Sequence, residues 1–438
     1  MRPLVGLLCA ISVVGCSDIV RPVGGTGHGK DAGARSDSGS VELDSAGFDD
    51  AAEAADAAAS ADASSPGLDA STNFDARPAA DAAMSMEDAG QSCGSISSVT
   101  GRVCSPEARD WVPGATITLT AQDCHGMPMV LTATSGVAGW FEIDAVPPGT
   151  WQVNVRAGAF SQTYTVTVPQ NGQVVIPSDQ LCVRGDTVRV AVVTGFGDHI
   201  ETLLTNLGIH ADTFDGNTNY ATGAEPFLSD LTALRRYDLI FIDCGAAVTS
   251  YTADLGTHAA QITDNLRQYV MGGGSLYASD WAVTFLARAF PQMVVPELRT
   301  VTSVSFPFQT TELAGYAPQT INAPIRDAAL AQAVGAQMVS ITFPDASGAR
   351  SANWGLLDLS HTQADVLVEG SATTCAMGTT VCNGATSPGP AVNAPLAVRF
   401  KLTPANMQGG NVYYTAFHNI AQTGNGVSDI LRWIVFHL

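Results

Sequence analysis

The run Tyr237-Asp-Leu-Ile-Phe-Ile-Asp-Cys-Gly245 restricts the fold more than any other stretch of the chain. Its apolar residues are continuous rather than alternating, and they stop abruptly at Asp243, Cys244 and Gly245. A strand buried on both faces reads this way, and such strands belong to parallel sheets covered by helices. Two further runs have the same form. Residues 188–193 open into Thr194-Gly-Phe-Gly-Asp-His199, and residues 275–278 open into Ser279-Asp280-Trp281. Parallel strands that deliver polar residues to one edge define a crevice, and open α/β sheets bind ligands there.

The intervening segments supply the helices. A short one is expected at 199–207, followed by a strand near 210–214, and a second at 226–235. Residues 258–270 carry the helical stripe Ile262, Leu266, Tyr269 and Val270, stopped by Gly272-Gly273-Gly274. Alternation of strand and helix predicts a doubly wound parallel sheet over residues 185–438. Within it, about 300–404 reads as a long strand-and-loop elaboration.

The start of the chain has a different character. Met1-Arg2 is positive and residues 4–14 are apolar, as in an export signal, with Cys16 directly after Val13-Val14-Gly15. From Ser17 to Gln91 the sequence is a low-complexity mixture of Asp, Ala, Ser and Gly with almost no aromatics. Such a composition buries too little apolar surface to offset its ordering entropy, which predicts a disordered tether over 16–92. The net charge of −21 removes nucleic acid from the candidate partners, because a nucleic-acid binder needs a basic footprint. Val13-Val14-Gly15-Cys16 resembles the bacterial lipobox. That resemblance implies cleavage after residue 15 and acylation of Cys16. The lipid bilayer then becomes a partner, and the expected place is the cell envelope, with Ser17 pointing to the outer membrane.

Residues 93–184 alternate in short apolar–polar runs separated by turn residues. Strands are expected at 98–103, 116–120, 130–134, 139–143, 151–157, 162–168 and 173–176. Gly101-Arg-Val103, Pro113-Gly-Ala-Thr-Ile-Thr-Leu119, Gly139-Trp-Phe-Glu-Ile143 and Val146-Pro-Pro-Gly-Thr-Trp-Gln-Val153 occur in that order. Together they resemble the carboxypeptidase regulatory-like, or transthyretin-like, β-sandwich. The resemblance implies an accessory module, with carbohydrate binding among some relatives. Trp111, Trp140 and Trp151 are then either glycan platforms or core and edge residues. The chain is thus expected to be multidomain, a small all-β sandwich followed by the α/β domain.

Tyr237-Asp-Leu-Ile-Phe-Ile242, Leu266-Arg-Gln-Tyr-Val-Met-Gly-Gly-Gly-Ser-Leu-Tyr277 and Gly409-Gly-Asn-Val-Tyr-Tyr-Thr-Ala-Phe-His-Asn419 carry a second resemblance. They are similar to the class I glutamine amidotransferase-like, flavodoxin-like superfamily, most closely its trehalose-utilisation-type branch. That family places its nucleophile in a Gly-x-Cys-x-Gly elbow. By element order the matching turn here is Ala278-Ser-Asp-Trp-Ala282, which has no Cys. Cys244 with His418 is the remaining candidate nucleophile and base, flanked by Ile242 and Ala246 rather than by glycines. Asp198, His199, Asp243, Asp280, His418 and Asn419 are the candidate ligand-binding residues. As carboxylates at strand ends the aspartates suit either a cation or helix caps, and the capping reading is preferred. Gly195-Phe-Gly197 is a weak phosphate cradle, since Ile200 replaces the third glycine and Asp198 repels an anion.

An exported chain sees oxidising conditions, so its cysteines are expected to pair. Cys375 with Cys382 would close a small loop. Cys93, Cys104, Cys124 and Cys182 allow three arrangements, of which Cys93–Cys182 with Cys104–Cys124 is preferred, leaving Cys244 as a thiol. No Cys-x-x-Cys or His-x-x-x-His spacing points to zinc, so no metal and no cofactor is expected. The functional expectation is an envelope lipoprotein acting in non-catalytic binding or scaffolding, with a glycan, an envelope polymer or an envelope protein as partner. The alternative is a divergent hydrolase or amidase using the strand-end crevice.

Overall fold

A computed structural model describes residues 97–246, 255–296, 314–343, 353–375, 388–402, 409–419, 422 and 424–438. Cys16, the 16–92 tether, Cys93 and Cys382 lie outside the described residues. The described chain is built from several sheets and is mostly β, with a sandwich-like region at its start.

Seven strands form that region: β1 (Ser97–Arg102), β2 (Thr116–Gln122), β3 (Pro128–Thr134), β4 (Trp140–Val146), β5 (Gly149–Ala157), β6 (Phe160–Val168) and β7 (Gln173–Val175). They correspond to the seven expected runs with ends moved by up to three residues. One sheet has the antiparallel order β3-β2-β5-β6, and the other the order β4-β1-β7. Alternation does the sorting here. Ile117 and Leu119 on β2, Val153 and Val155 on β5, Val99 on β1 and Phe141 and Ile143 on β4 are all buried, while their sequence neighbours face outward or are half-covered.

The cysteine pairing differs from the expected one. Cys104 is bonded to Cys182, not to Cys124, and thereby ties the segment after β1 to the segment after β7. The two cysteines face each other as a parallel bridge, with Cα atoms 4.2 Å apart, a proximity that sequence spacing does not reveal. Cys124 and Cys375 are each disulfide-bonded as well, to partners outside the described residues.

The large sheet begins with β8 (Val190–Thr194), α1 (Ile200–Asn206), β9 (Ala211–Asp215), α2 (Ala224–Leu228), α3 (Leu231–Leu234) and β10 (Leu239–Ile242). It continues with α4 (Ala259–Met271), β11 (Ser275–Ser279) and α5 (Val283–Ala289). The single helix expected at 226–235 is two short ones. Asp230 interrupts it, its backbone extended and its side chain accepting from the Thr232 N–H as the cap of α3. Then come β12 (Ala314–Tyr316), β13 (Gln319–Pro324), α6 (Ala328–Val334), β14 (Met338–Phe343), β15 (Asn353–Gly355), β16 (Asp365–Cys375), β17 (Pro388–Lys401), β18 (Asn411–Thr415) and α7 (Gly426–Val435).

The sheet order is β15-β12-β16-β17-β18-β11-β10-β8-β9, with β13 and β14 paired separately. The half from β9 to β18 is parallel, and the half from β18 to β15 is antiparallel. Every residue of β10 and β11 is buried, as befits strands with neighbours on both sides and cover on both faces. Because β8, β10, β11 and β18 run parallel and adjacent, the residues that follow them share one edge. The C-terminal helix α7 closes the chain with a buried face of Val427, Ile430, Leu431 and Ile434. Arg432 of α7 pairs with both Asp110 and Asp429, and Phe436 meets Phe160 edge-on, which fastens the sandwich-like region to the large sheet.

Candidate functional site

Asp280 is the centre of the strand-end crevice. It is 1% exposed and follows β11 at a backbone φ of 43°, in the left-handed region that costs a non-glycine residue energy. The left-handed turn at Asp280 places its side chain among three donors. The Gly355 N–H donates to Oδ1 at 2.6 Å, while the Cys244 thiol at 3.3 Å and His418 Nε2 at 3.0 Å both reach Oδ2. Cys244 is buried, and its own N–H donates to Ser279 Oγ. His418 keeps 20% of its side chain accessible. One donor atom from each of Cys244, Asp280 and His418 falls within 4.8 Å of the others.

The glycines of the loop after β8 have a packing explanation rather than a phosphate one. A Cβ on Gly195 would lie 1.9 Å from the Cys244 carbonyl oxygen, and one on Gly197 would lie 2.8 Å from Cys244 Sγ. Gly197 also donates its N–H to that carbonyl at 3.0 Å. The two glycines let the loop lie directly on the Cys244 turn.

A second acidic centre lies one strand away. Asp198 is fully buried and accepts at Oδ1 from the His199 N–H at 2.9 Å and the Asn419 N–H at 3.1 Å. Asn419 Nδ2 in turn donates to the His199 carbonyl at 2.6 Å, so the turns after β8 and β18 are laced together. Asp243 is also fully buried, and neither of its oxygens has a hydrogen-bond partner among the described residues. The Glu201 carboxyl and the Ile200 N–H lie near it without reaching bonding geometry. Burial, followed by the charges of Asp198 and Glu201, pushes the Asp243 carboxyl well above the usual carboxylate range. Tyr277, at the same edge, donates to Thr415 Oγ1 at 2.7 Å, since the threonine hydroxyl is itself spent on the Phe417 carbonyl. Burial also raises the Tyr277 phenol well above its ordinary range.

All six candidate ligand-binding residues, together with Cys244, therefore sit at this edge, but in two groups. Cys244, Asp280 and His418 form one; Asp198, His199, Asp243 and Asn419 form the other. Sequence reasoning missed Gly355 and Glu201. Gly355 arrives from a strand 75 positions away with no motif of its own. Glu201 lies only three residues beyond Asp198, and that spacing at the start of a helix was the available signal. The expected helix cap at Asp280 is not made: α5 has no side-chain cap, and the carboxylate turns instead to Gly355, Cys244 and His418.

The three tryptophans of the sandwich-like region separate into two classes. Trp151 and Trp111 are half-buried, and Trp151 Nε1 donates to the Pro147 carbonyl at 2.7 Å. Trp140 is 53% exposed. The Arg102 guanidinium lies 3.5 Å from the Trp111 ring centroid and 5.2 Å from that of Trp140. A cation at these distances is attracted to the faces of both rings.

Comparison with known proteins places one part of the chain. Residues 98–178 match the carboxypeptidase regulatory-like domain. No curated protein sequence matches the chain. Among solved structures, a cytoplasmic protein from Salmonella typhimurium is 13% identical at a TM-score of 0.29, over 57% of this chain and 97% of its own. A provisionally named carbohydrate binding protein from Bacteroides uniformis is 9% identical at 0.17, over 68% of this chain and 99% of its own. Superpositions this loose define neither a shared fold nor a shared ligand.

Proposed function

We propose that the protein is an envelope lipoprotein that binds rather than catalyses. In this reading it is anchored by acylated Cys16, held off the bilayer by the 16–92 tether, and built from a 93–184 sandwich and a flavodoxin-like, doubly wound domain at 185–438. The observation that carries the non-catalytic reading is Asp280. It stands in the turn where the amidotransferase-like resemblance calls for a thiol nucleophile, at the strained φ such an elbow has, yet it is buried and both oxygens are occupied. The thiol that is present, Cys244, has no accessible surface. A nucleophile needs access and a base aimed at it, and here the base holds a carboxylate.

The ligand proposed is a glycan of the envelope, taken on the sandwich surface. Trp140 supplies an exposed ring beside the Arg102 guanidinium, the flat apolar surface on which a sugar ring stacks. Cosedimentation of the purified protein with isolated envelope polysaccharide should show binding that falls about tenfold in Trp140→Ala. Equal binding by the variant would remove Trp140 from the interface, and turnover of a peptidoglycan amide or glycoside would replace this reading with the hydrolase one. The anchor has its own test: Cys16→Ala should move the protein from the detergent phase to the aqueous phase, and unchanged partition would remove the lipid.

A further inference from the structure

We propose that Cys244, Asp280 and His418 bind a single zinc ion through Sγ, Oδ2 and Nε2. Zinc takes thiolate, carboxylate and imidazole donors at about 2.0–2.3 Å, which sets neighbouring donors of a tetrahedron about 3.3–3.6 Å apart. Two of the three donor pairs already hold nearly that spacing. Sγ to Oδ2 is 3.3 Å, Nε2 to Oδ2 is 3.0 Å, and all three atoms lie within 4.8 Å of one another. Admitting the ion requires Sγ and Nε2 to come to about 3.5 Å of each other.

The supporting contacts fit the same assignment. The Gly355 N–H engages Oδ1 and leaves Oδ2 as the ligating oxygen, and Ser279 Oγ fixes the Cys244 backbone. Metal ligands are normally oriented by such neighbours. Asp280 is held at a φ of 43°, a conformation that persists only where the surroundings impose it, and here it aims the carboxylate between the thiol and the imidazole. The three ligands come from the ends of β10, β11 and β18. They are far apart in sequence, which is why no short Cys/His spacing announces them.

The chemistry balances without a co-reactant. The thiol proton that points to Oδ2 leaves to solvent, the His418 ring shifts its proton from Nε2 to Nδ1 by exchange with solvent so that Nε2 presents its lone pair, and the ion takes the place of the two hydrogen bonds. Three protein ligands leave a fourth position for water or for a donor atom of a bound ligand, and His418, the accessible member of the set, marks the solvent side. The thiolate selects zinc over magnesium or calcium. This inference is independent of the glycan reading, since zinc uptake and Trp140 are measured separately.

The test uses the full chain purified in detergent, stripped with a chelator and titrated with Zn2+ alone and then Co2+ alone. The expected result is one zinc per chain retained through gel filtration, and a cobalt form with a thiolate-to-metal charge-transfer band and the strong visible bands of a tetrahedral site. Cys244→Ser should lose the charge-transfer band, and His418→Gln should weaken zinc binding by about tenfold or more. His418 is partly exposed, so His418→Gln is the variant expected to fold, and its circular dichroism checks this. If Cys244→Ser fails to fold, the cobalt spectrum of the native chain and the affinity of His418→Gln decide. No retained zinc, a cobalt spectrum without the charge-transfer band, or a folded His418→Gln that binds zinc as tightly as the native chain would overturn the proposal.

Discussion

Asp243 and Asp280 follow neighbouring parallel strands, β10 and β11, and both are buried. Asp280 accepts from a backbone amide, a thiol and an imidazole. Asp243 has no donor among the described residues and faces the carboxyls of Asp198 and Glu201. Burial is therefore not what separates them. A buried carboxylate with three donors is a fixed point that organises its neighbours; one among other carboxyls is driven to hold its proton. The same strand-end position yields an anchoring group in one case and, in the other, a carboxyl whose titration burial and neighbouring charges raise.

Asp280→Ala should do most damage to this contrast. It removes the acceptor shared by the Gly355 N–H, the Cys244 thiol and His418, and urea unfolding should show a loss of about 3 kcal/mol or more. A loss under about 1 kcal/mol would mean that water replaces the carboxylate and that Asp280 organises nothing.

Asp243→Asn should act in the opposite direction. It removes a charge-bearing group that the fold disfavours, and a gain of about 1 kcal/mol at neutral pH is expected. The sign with pH follows from linkage. The folded carboxyl titrates above its unfolded value of about 3.9, so the native state binds the extra proton. The stability that this group contributes is complete below that pH and is lost as pH rises through the folded value. Native protein should weaken over that window in urea melts at successive pH values, and Asp243→Asn should flatten the slope. An unchanged slope would show that Asp243 finds a donor.

Cys244 sharpens the comparison from the thiol side. A charged alkylating reagent should label it about 100-fold more slowly in the native protein than in urea, because the sulfur is inaccessible until the chain opens. Fast native labelling, read by mass spectrometry, would make Cys244 reactive and revive the hydrolase reading. The smallest effect is expected of Glu201→Gln. Its side chain is 30% accessible and already paired with His199, so relief of the repulsion on Asp243 should be worth under about 1 kcal/mol, detectable as a shift in the Asp243 titration.

The strand ends were legible because burial on both faces writes a continuous apolar run, and because parallel pairing sends all such ends to one edge. Asp198, Asp243, Cys244, Asp280 and His418 could be named as edge residues on that ground. Their division into two centres could not. It depends on the left-handed turn at Asp280 and on Gly355, which β15 delivers from the far half of the sheet. The break at Asp230 and the Cys104–Cys182 bond were misread because a continuous helix and an end-to-end disulfide satisfy the same local pattern.

Local periodicity and turn residues thus determine from the sequence alone which of the described segments are strands and which are helices. Those properties arise within a few residues of one another, and the chain states them directly. Tertiary structure alone decided which carboxylate meets donors and which meets other carboxylates, which tryptophan stays exposed over Arg102, and which cysteines touch. Each of those outcomes rests on contacts between residues dozens to hundreds of positions apart, at distances of a few ångströms that only the packed sheet fixes.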